Sequence, residues 1–262
     1  VKSFKWSPDS LRLAYVLEPV VNAFELYTTP SASPSNTLIS IDMEDGDEID
    51  YGWSADSSFI AFIADEDTPD VFELYSSDPV TGSPTRKVSG TLEAAGGDVT
   101  AFKWAPTVLL IAYTADQETN DKIELYTTNP PPDVSVIKVS KDPFAGLAVE
   151  NDFQWSPDSA LIAYRADQDT PNKTELYTTD PDGLNNDRVS GTLPSDGDVD
   201  EFTWDDLGSS IGYLANQISI IVIELFASLP DGSANTRLSN DLVDENGDPV
   251  TDGDVFAFEW VP

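Results

Sequence analysis

Residues 155–164 read Trp-Ser-Pro-Asp-Ser-Ala-Leu-Ile-Ala-Tyr, and residues 175–177 read Glu-Leu-Tyr. The opening of the first stretch is turn chemistry, with Pro157 pre-setting φ and Asp158 placed to bond its own backbone. The apolar Ile162-Ala163-Tyr164 that follows is a short strand, a polar loop comes next, and Glu175-Leu176-Tyr177 opens another strand. The same order recurs along the chain. Trp-Ser-Pro-Asp-Ser stands also at 6–10. The strand recurs as Leu13-Ala14-Tyr15, Ile60-Ala61-Phe62, Ile111-Ala112-Tyr113 and Ile211-Gly212-Tyr213. Glu-Leu-Tyr recurs at 25–27, 73–75 and 124–126, with Glu-Leu-Phe at 224–226.

The tryptophans set the period. Trp6, Trp53, Trp104, Trp155, Trp204 and Trp260 are 47, 51, 51, 49 and 56 residues apart, and each follows an aromatic residue by two: Phe4, Tyr51, Phe102, Phe153, Phe202 and Phe258. A further strand closes each unit, as in Arg86-Lys87-Val88-Ser89 and Arg188-Val189-Ser190. No stretch carries a useful helical period. Four short strands in about 50 residues is the arithmetic of a propeller blade. The expected fold is all-β: a β-propeller of four-stranded antiparallel blades, five full repeats plus one surplus innermost strand. The blades fall at about 3–40, 50–90, 100–140, 150–190 and 200–240 of a single domain spanning 1–262, with the extra strand at 255–260. We denote the strands of a blade a to d. Every Trp, at the end of strand a, is expected to pack between blades. The surplus strand a reads three ways: the chain is cut from a larger propeller, the strand caps the ring edge, or it pairs with another molecule.

The Trp-Ser-Pro-Asp-Ser turn with its Ile-Ala-Tyr and Glu-Leu-Tyr strands resembles the WD40-like PD40 repeats of TolB-type β-propellers, of the kind found in tandem in large prokaryotic surface proteins. The resemblance recurs five times over nearly the whole chain. It implies the fold and an extracellular or cell-surface setting, with the periplasm as the alternative; its members span many functions.

Composition removes several classes of function. The chain has 262 residues, 48 acidic and 13 basic, a net charge of −35, and neither His nor Cys. That leaves no Ser-His-Asp triad, thiolate nucleophile, disulfide, or His- or Cys-ligated metal. Phosphate backbones and anionic membranes repel such a chain, so nucleic acid is not an expected partner. No apolar run is long enough to span a bilayer as a helix, and none is expected to insert. A 40% hydrophobic content supplies a real core. The sequence opens at Val1 without Met or signal peptide, which reads as a processed form or a fragment.

The acid is patterned. Loops b–c of blades 2, 3 and 4 carry Asp65, Asp67, Asp70 and Glu73; Asp116, Glu118, Asp121 and Glu124; and Asp167, Asp169, Asn172 and Glu175. Loops d–a add Asp47, Asp98, Asp198 and Asp254, each six residues before a Trp, whereas blade 4 has Val149 and Glu150 there. In an up-and-down blade these two loops share a face. Clustered carboxylates repel unless a cation intervenes, and Ca²⁺ takes several hard oxygen ligands at short spacing. One reading is a Ca²⁺ ion at each acidic loop, which the resemblance favours through its calcium-rich exterior settings; the other is solvated turn residues. Asp244, Asn246 and Asp248 form a looser candidate, alternating like the first half of an EF-hand loop but lacking its Glu. The Glu of Glu-Leu-Tyr persists as Glu25 and Glu224 in blades without the other acids, which points to a structural bond, to a backbone or a hydroxyl. Asn172-Lys173-Thr174 is also a glycosylation sequon.

Blades 1 and 5 break the acidic rule. Val20, Val21 and Phe24 in one loop b–c, with Ile218, Ile220 and Ile221 in the other, would form one apolar contact patch if a five-blade ring makes these blades neighbours. The alternative is that both loops simply extend their strands. The resulting expectation is a non-catalytic scaffold for protein interaction or self-assembly, including a filament built by strand donation. A glycosidase using Asp152 and Glu201, at minus three from Trp155 and Trp204, is the enzymatic alternative. A glycan-binding propeller is the third, and would need its Trp exposed for stacking.

Overall fold

The computed structural model describes residues 1–20, 23–43, 50–92, 96–142, 148–239, 255 and 257–259. Among these described residues the fold is all β, with twenty strands in five four-stranded antiparallel sheets, each running in chain order from a to d. Blade 1 holds β1 (Ser3–Trp6), β2 (Arg12–Val20), β3 (Ala23–Pro30) and β4 (Thr37–Met43). Blade 2 holds β5 (Tyr51–Trp53), β6 (Ile60–Ala64), β7 (Glu73–Ser77) and β8 (Arg86–Lys87). Blade 3 holds β9 (Val99–Trp104), β10 (Ile111–Ala115), β11 (Glu124–Thr128) and β12 (Val136–Lys138). Blade 4 holds β13 (Gln154–Trp155), β14 (Ile162–Ala166), β15 (Glu175–Thr179) and β16 (Asn186–Arg188). Blade 5 holds β17 (Val199–Trp204), β18 (Ile211–Ser219), β19 (Val222–Ser228) and β20 (Thr236–Arg237). The chain divides into two compact units, Val1–Lys138 with blades 1–3 and Val139–Pro262 with blades 4 and 5. Among the described residues no helix is long and apolar enough to cross a membrane.

The a–b turn works as the sequence predicts. In blade 4 the Ser156 hydroxyl donates to Asp158 at 2.7 Å, and Asp158 accepts the Ala160 N–H at 3.0 Å. Ser159 then takes a left-handed φ of 64°, which turns the chain into β14. Ser7, Asp9 and Ser10 repeat this in blade 1, and Ser54, Asp56 and Ser57 in blade 2.

Strands b and c meet through aromatic rings. Tyr15 stacks on Tyr27, Phe62 on Tyr75, Tyr113 on Tyr126, Tyr164 on Tyr177 and Tyr213 on Phe226, with centroids 5.3–5.7 Å apart. Each pair is directly opposite in the ladder, which is where cross-strand contact is strongest. The recurring Ile-Ala-Tyr and Glu-Leu-Tyr are the two halves of this stack.

Within each unit, adjacent blades are joined by tryptophan. Trp53 Nε1 donates to the Lys5 carbonyl at 3.2 Å, Trp104 to Gly52 at 3.0 Å and Trp204 to Gln154 at 3.3 Å. Trp53, Trp155 and Trp204 are buried and Trp104 is half-buried. Trp6 departs from the expected burial: it is 54% exposed. Trp260 lies outside the described residues.

A second joint uses a residue the sequence reading passed over. The Tyr113 hydroxyl bonds Gln117 at 2.7 Å, and both accept from the Gly90 N–H of blade 2, at 3.1 and 3.0 Å. Tyr213, Gln217 and Gly191 repeat it between blades 4 and 5. A Cβ on Gly90 or Gly191 would lie 2.4 or 2.6 Å from the Gln carboxamide, so a larger residue there would have to displace that side chain.

The sixth copy of strand a, expected at 255–260, carries no strand at its described positions, 255 and 257–259. Its Val255 N–H bonds the Ile223 carbonyl at 2.9 Å, as Val99 bonds Phe72 and Val199 bonds Thr174, each at 2.8 Å. Val255 therefore sits beside blade 5 as Val99 sits beside blade 2 and Val199 beside blade 4.

Candidate functional site

The b–c connections are of two kinds. In blades 2, 3 and 4 they are the acidic loops, and their first carboxylate folds the loop. Asp65 accepts the Asp70 N–H at 3.3 Å, and Asp116 accepts the Asp121 N–H at 2.8 Å. Asp167 receives the Thr174 hydroxyl at 3.1 Å, within the sequon triplet. The third member, Asp70, Asp121 or Asn172, sits at a left-handed φ of 62°, 63° or 55°, a conformation Asp and Asn tolerate better than most residues.

The last member of each loop is buried and compensated by protein groups. Glu73 accepts Lys87 at 2.7 Å and the Tyr75 hydroxyl at 3.0 Å. Glu124 accepts Lys122 at 2.9 Å, Lys138 at 3.3 Å and Tyr126 at 2.8 Å. Glu175 accepts Arg188 at 3.0 Å and Tyr177 at 2.9 Å. Burial, reinforced by the neighbouring Glu, pushes the Tyr75, Tyr126 and Tyr177 phenols upward, so each remains a donor. The second members differ: Glu118 pairs with Lys138 at 2.8 Å, Asp67 lies 3.8 Å from Lys87, and Asp169 takes the Tyr177 hydroxyl as acceptor for its own N–H at 3.3 Å. Glu25 receives Tyr27 at 2.6 Å, and Glu224 pairs with Arg237 at 2.8 Å.

The d–a aspartates join blades. Asp98 accepts the Phe72 N–H of blade 2 at 2.8 Å and donates its own N–H to Asp116 at 2.5 Å. Asp198 accepts the Thr174 N–H of blade 4 at 2.7 Å and donates to Asn216 at 2.7 Å. This brings the carboxylates of Asp167 and Asp198 to the same threonine. Burial, with the Asp198 charge adding to it and the Thr174 hydroxyl opposing, holds the Asp167 carboxyl above its ordinary value. Asp47, Asp254, Asp244, Asn246 and Asp248 lie outside the described residues.

The second kind of connection is a hairpin. In blade 5, β18 and β19 continue past the acidic-loop position and close at Ser219↔Val222. Ile218, Ile220 and Ile221 are 59%, 49% and 62% exposed at its tip. In blade 1, β2 and β3 close at Val20↔Ala23. Phe24 corrects the expected loop patch. It lies on β3 opposite Met43 and is 2% exposed, because the period-two alternation turns Phe24 and Leu26 into the core with Ile39. Val21 and the Val20 side chain lie outside the described residues.

Of the alternative catalytic pair, Asp152 is ion-paired to Arg165 Nε at 2.7 Å, and Arg165 Nη1 also donates to the Val199 carbonyl at 2.8 Å. Glu201 is exposed on β17, opposite Leu214. A groove of about 420 Å³ in unit 2 is lined by Leu161, Thr178, Asp180, Leu229, Pro230 and Asp231. The Thr178 hydroxyl there already donates to the Pro230 carbonyl at 2.6 Å.

No family model matches the chain, and no curated protein sequence matches it. Solved structures share its fold. The putative TolB from Agrobacterium tumefaciens is 14% identical over 90% of this chain and 79% of its own, with a TM-score of 0.52. Dipeptidyl peptidase 4 from Porphyromonas gingivalis is 17% identical over 90% of this chain, with a TM-score of 0.66; the chain spans only 38% of that protein. The oligogalacturonate lyase from Vibrio parahaemolyticus is 14% identical over 93% of this chain and 68% of its own, with a TM-score of 0.55. The chain thus has the blade architecture of TolB-type β-propellers, a fold that hosts different chemistries.

Proposed function

We propose that this chain is a non-catalytic propeller scaffold that engages other proteins, outside the cell, at its surface or in the periplasm. The observation that carries the reading is the blade 5 hairpin. Where blades 2–4 close the same connection with polar loops, β18 and β19 hold Ile218, Ile220 and Ile221 out to solvent. A contiguous exposed apolar tip on a chain of net charge −35 favours a contact site. The commitment of Asp152 to Arg165, and of the repeated carboxylates to backbone donors and cations, supports a structural use of the acid. The strong negative charge fits an exterior setting.

The immobilised chain, compared with an Ile220→Asp/Ile221→Asp variant, tests the reading against secreted and envelope proteins. A protein retained by the first and lost by the second is the expected result. Equal retention would remove the hairpin as the contact. Cleavage of glycoside or oligogalacturonide substrates that disappears in Asp152→Asn would overturn the non-catalytic assignment.

A second reading, Ca²⁺ binding at the acidic loops, is supported where Asp167 and Asp198 converge on Thr174. A cation there would relieve the repulsion between them. Melting in Ca²⁺, Mg²⁺ and EDTA at matched ionic strength tests it, since a ligand at 100 times its Kd adds about 2.7 kcal/mol per site. Identical melting in all three would dismiss it.

A further inference from the structure

The loop between β14 and β15 carries Asn172-Lys173-Thr174, and no other Asn-x-Ser or Asn-x-Thr triplet occurs in the chain. The three acidic loops fold alike. The backbone N–H of the third member bonds the first carboxylate: Asp70 to Asp65, Asp121 to Asp116 and Asn172 to Asp167. All three third members take a left-handed φ. Two residues further on, Phe72 and Thr174 both give their N–H to a d–a aspartate, Asp98 and Asp198.

The blade 4 loop departs from this pattern at two side chains. Its third member is Asn172 where blades 2 and 3 have Asp70 and Asp121, and Thr174 stands where they have Phe72 and Ile123. Neither change is needed for the turn. Asp70 and Asp121 hold the same backbone conformation, and their loops carry an apolar side chain two residues later. The bond from the Thr174 hydroxyl to Asp167 at 3.1 Å is therefore an addition to this loop and not a condition of its fold. Together the two changes create the acceptor that N-linked sugar transfer requires, a carboxamide with a hydroxyl two residues later and a residue other than Pro between them. The middle residue folds back out of the way: the Lys173 ammonium donates to the Leu193 carbonyl at 3.0 Å. Asn172 is exposed, and its carboxamide bonds no described residue.

We infer that Asn172 is a modification site whose side-chain amide bears an N-linked oligosaccharide. Such a modification rests on the exterior setting proposed above, because its sugar donor is met on the way out of the cytoplasm. The donor is an oligosaccharide carried on a polyprenyl phosphate. The Asn172 carboxamide nitrogen bonds C1 of the first sugar, the bond from C1 to the phosphate oxygen breaks, the lipid phosphate leaves with the electron pair, and the amide gives up one proton. In the folded loop the Thr174 hydroxyl is turned to Asp167, so transfer precedes closure of the loop. The finished glycan then stands off an exposed turn, where its bulk displaces no packed side chain.

Peptide mass mapping of the full chain made in its native source, beside Asn172→Asp, Thr174→Val and Thr174→Ser made in the same cells, tests this. The peptide containing Asn172 should be heavier than its sequence by whole sugar residues in the unaltered chain and in Thr174→Ser. All of that mass should be lost in Asn172→Asp and in Thr174→Val. Asn172→Asp installs the residue that blades 2 and 3 hold at this φ, so a cooperative thermal melt of that variant separates loss of the sugar from loss of the fold. An unmodified Asn172 peptide in the unaltered chain would overturn the inference, as would sugar mass retained in Asn172→Asp or Thr174→Val. Fractionation of the same cells judges the setting separately. An unmodified Asn172 in a chain found outside the cytoplasm overturns the glycan alone, whereas a chain found only in the cytoplasm overturns the setting with it.

Discussion

The Tyr177 hydroxyl donates to Glu175 at 2.9 Å, from two residues further along the same strand. Their side chains share one face of β15, and Arg188 on the neighbouring β16 reaches the other carboxylate oxygen at 3.0 Å. Both oxygens of a buried carboxylate are thereby satisfied. Blade 5 keeps the Glu and the cation as Glu224 and Arg237 but has Phe226 in place of the tyrosine, and Glu224 Oε2 is buried without a hydrogen bond.

Phe226→Tyr should therefore stabilise the protein by about 1.5–3 kcal/mol, the range for a hydrogen bond to a charged group. Calorimetry should show a melting transition raised by a few degrees. An unchanged transition would mean that water already serves Glu224.

Removing the cation should do the reverse. Arg188→Met leaves Glu175 buried with its tyrosine alone and should cost about 2 kcal/mol, reduced from the fully buried case because Arg188 is partly exposed. Adding Glu175→Gln to that variant should recover most of the loss. A double variant as unstable as the single one would show that the loss came from packing.

Two aspartates of unit 2 should respond to pH with opposite sign. The Ser156 hydroxyl and then the Ala160 N–H hold Asp158 below its ordinary value, so its contribution is present at neutral pH and is lost as pH falls through the folded value. Asp167 is held above its ordinary value, chiefly by burial. Its folded form binds the proton more tightly than the unfolded chain does, so its ionisation lowers stability as pH rises through the folded value. In urea melts against pH, Asp158→Asn should flatten the acid limb. Asp167→Asn should remove the decline that Asp167 causes above it.

Gly191→Ala should cost about 1–3 kcal/mol, because the new methyl group meets the Gln217 carboxamide that Tyr213 and the Gly191 N–H hold in place. In a Gln217→Ala background the same change should cost much less. Equal costs in the two backgrounds, measured by denaturant titration, would place the strain elsewhere.

The blades themselves were legible in the sequence because their signals are local. The Ser-x-Asp turn, the two-residue alternation and the paired aromatics act within a few residues or across one hairpin, so Trp155–Tyr164 alone predicts a turn and a strand. The structural role foreseen for the Glu of Glu-Leu-Tyr is realised as its bond to the tyrosine two residues later. Phe24 was misplaced because an apolar run at a hairpin does not show where loop ends and strand begins; the register with β4 does.

What the tertiary structure alone decided is which groups meet across blades. Asp98 meets Phe72, and Gln217 meets Gly191, 26 residues apart in each case. Asp98 reads as one more acid and Gln217 as one more polar loop residue until the neighbouring blade supplies the N–H. Trp6 and Trp53 occupy the same place in the repeat, yet one is exposed and the other buried. A side chain's type and period fix the face it presents, but its burial depends on the next sheet, whose identity no local pattern encodes.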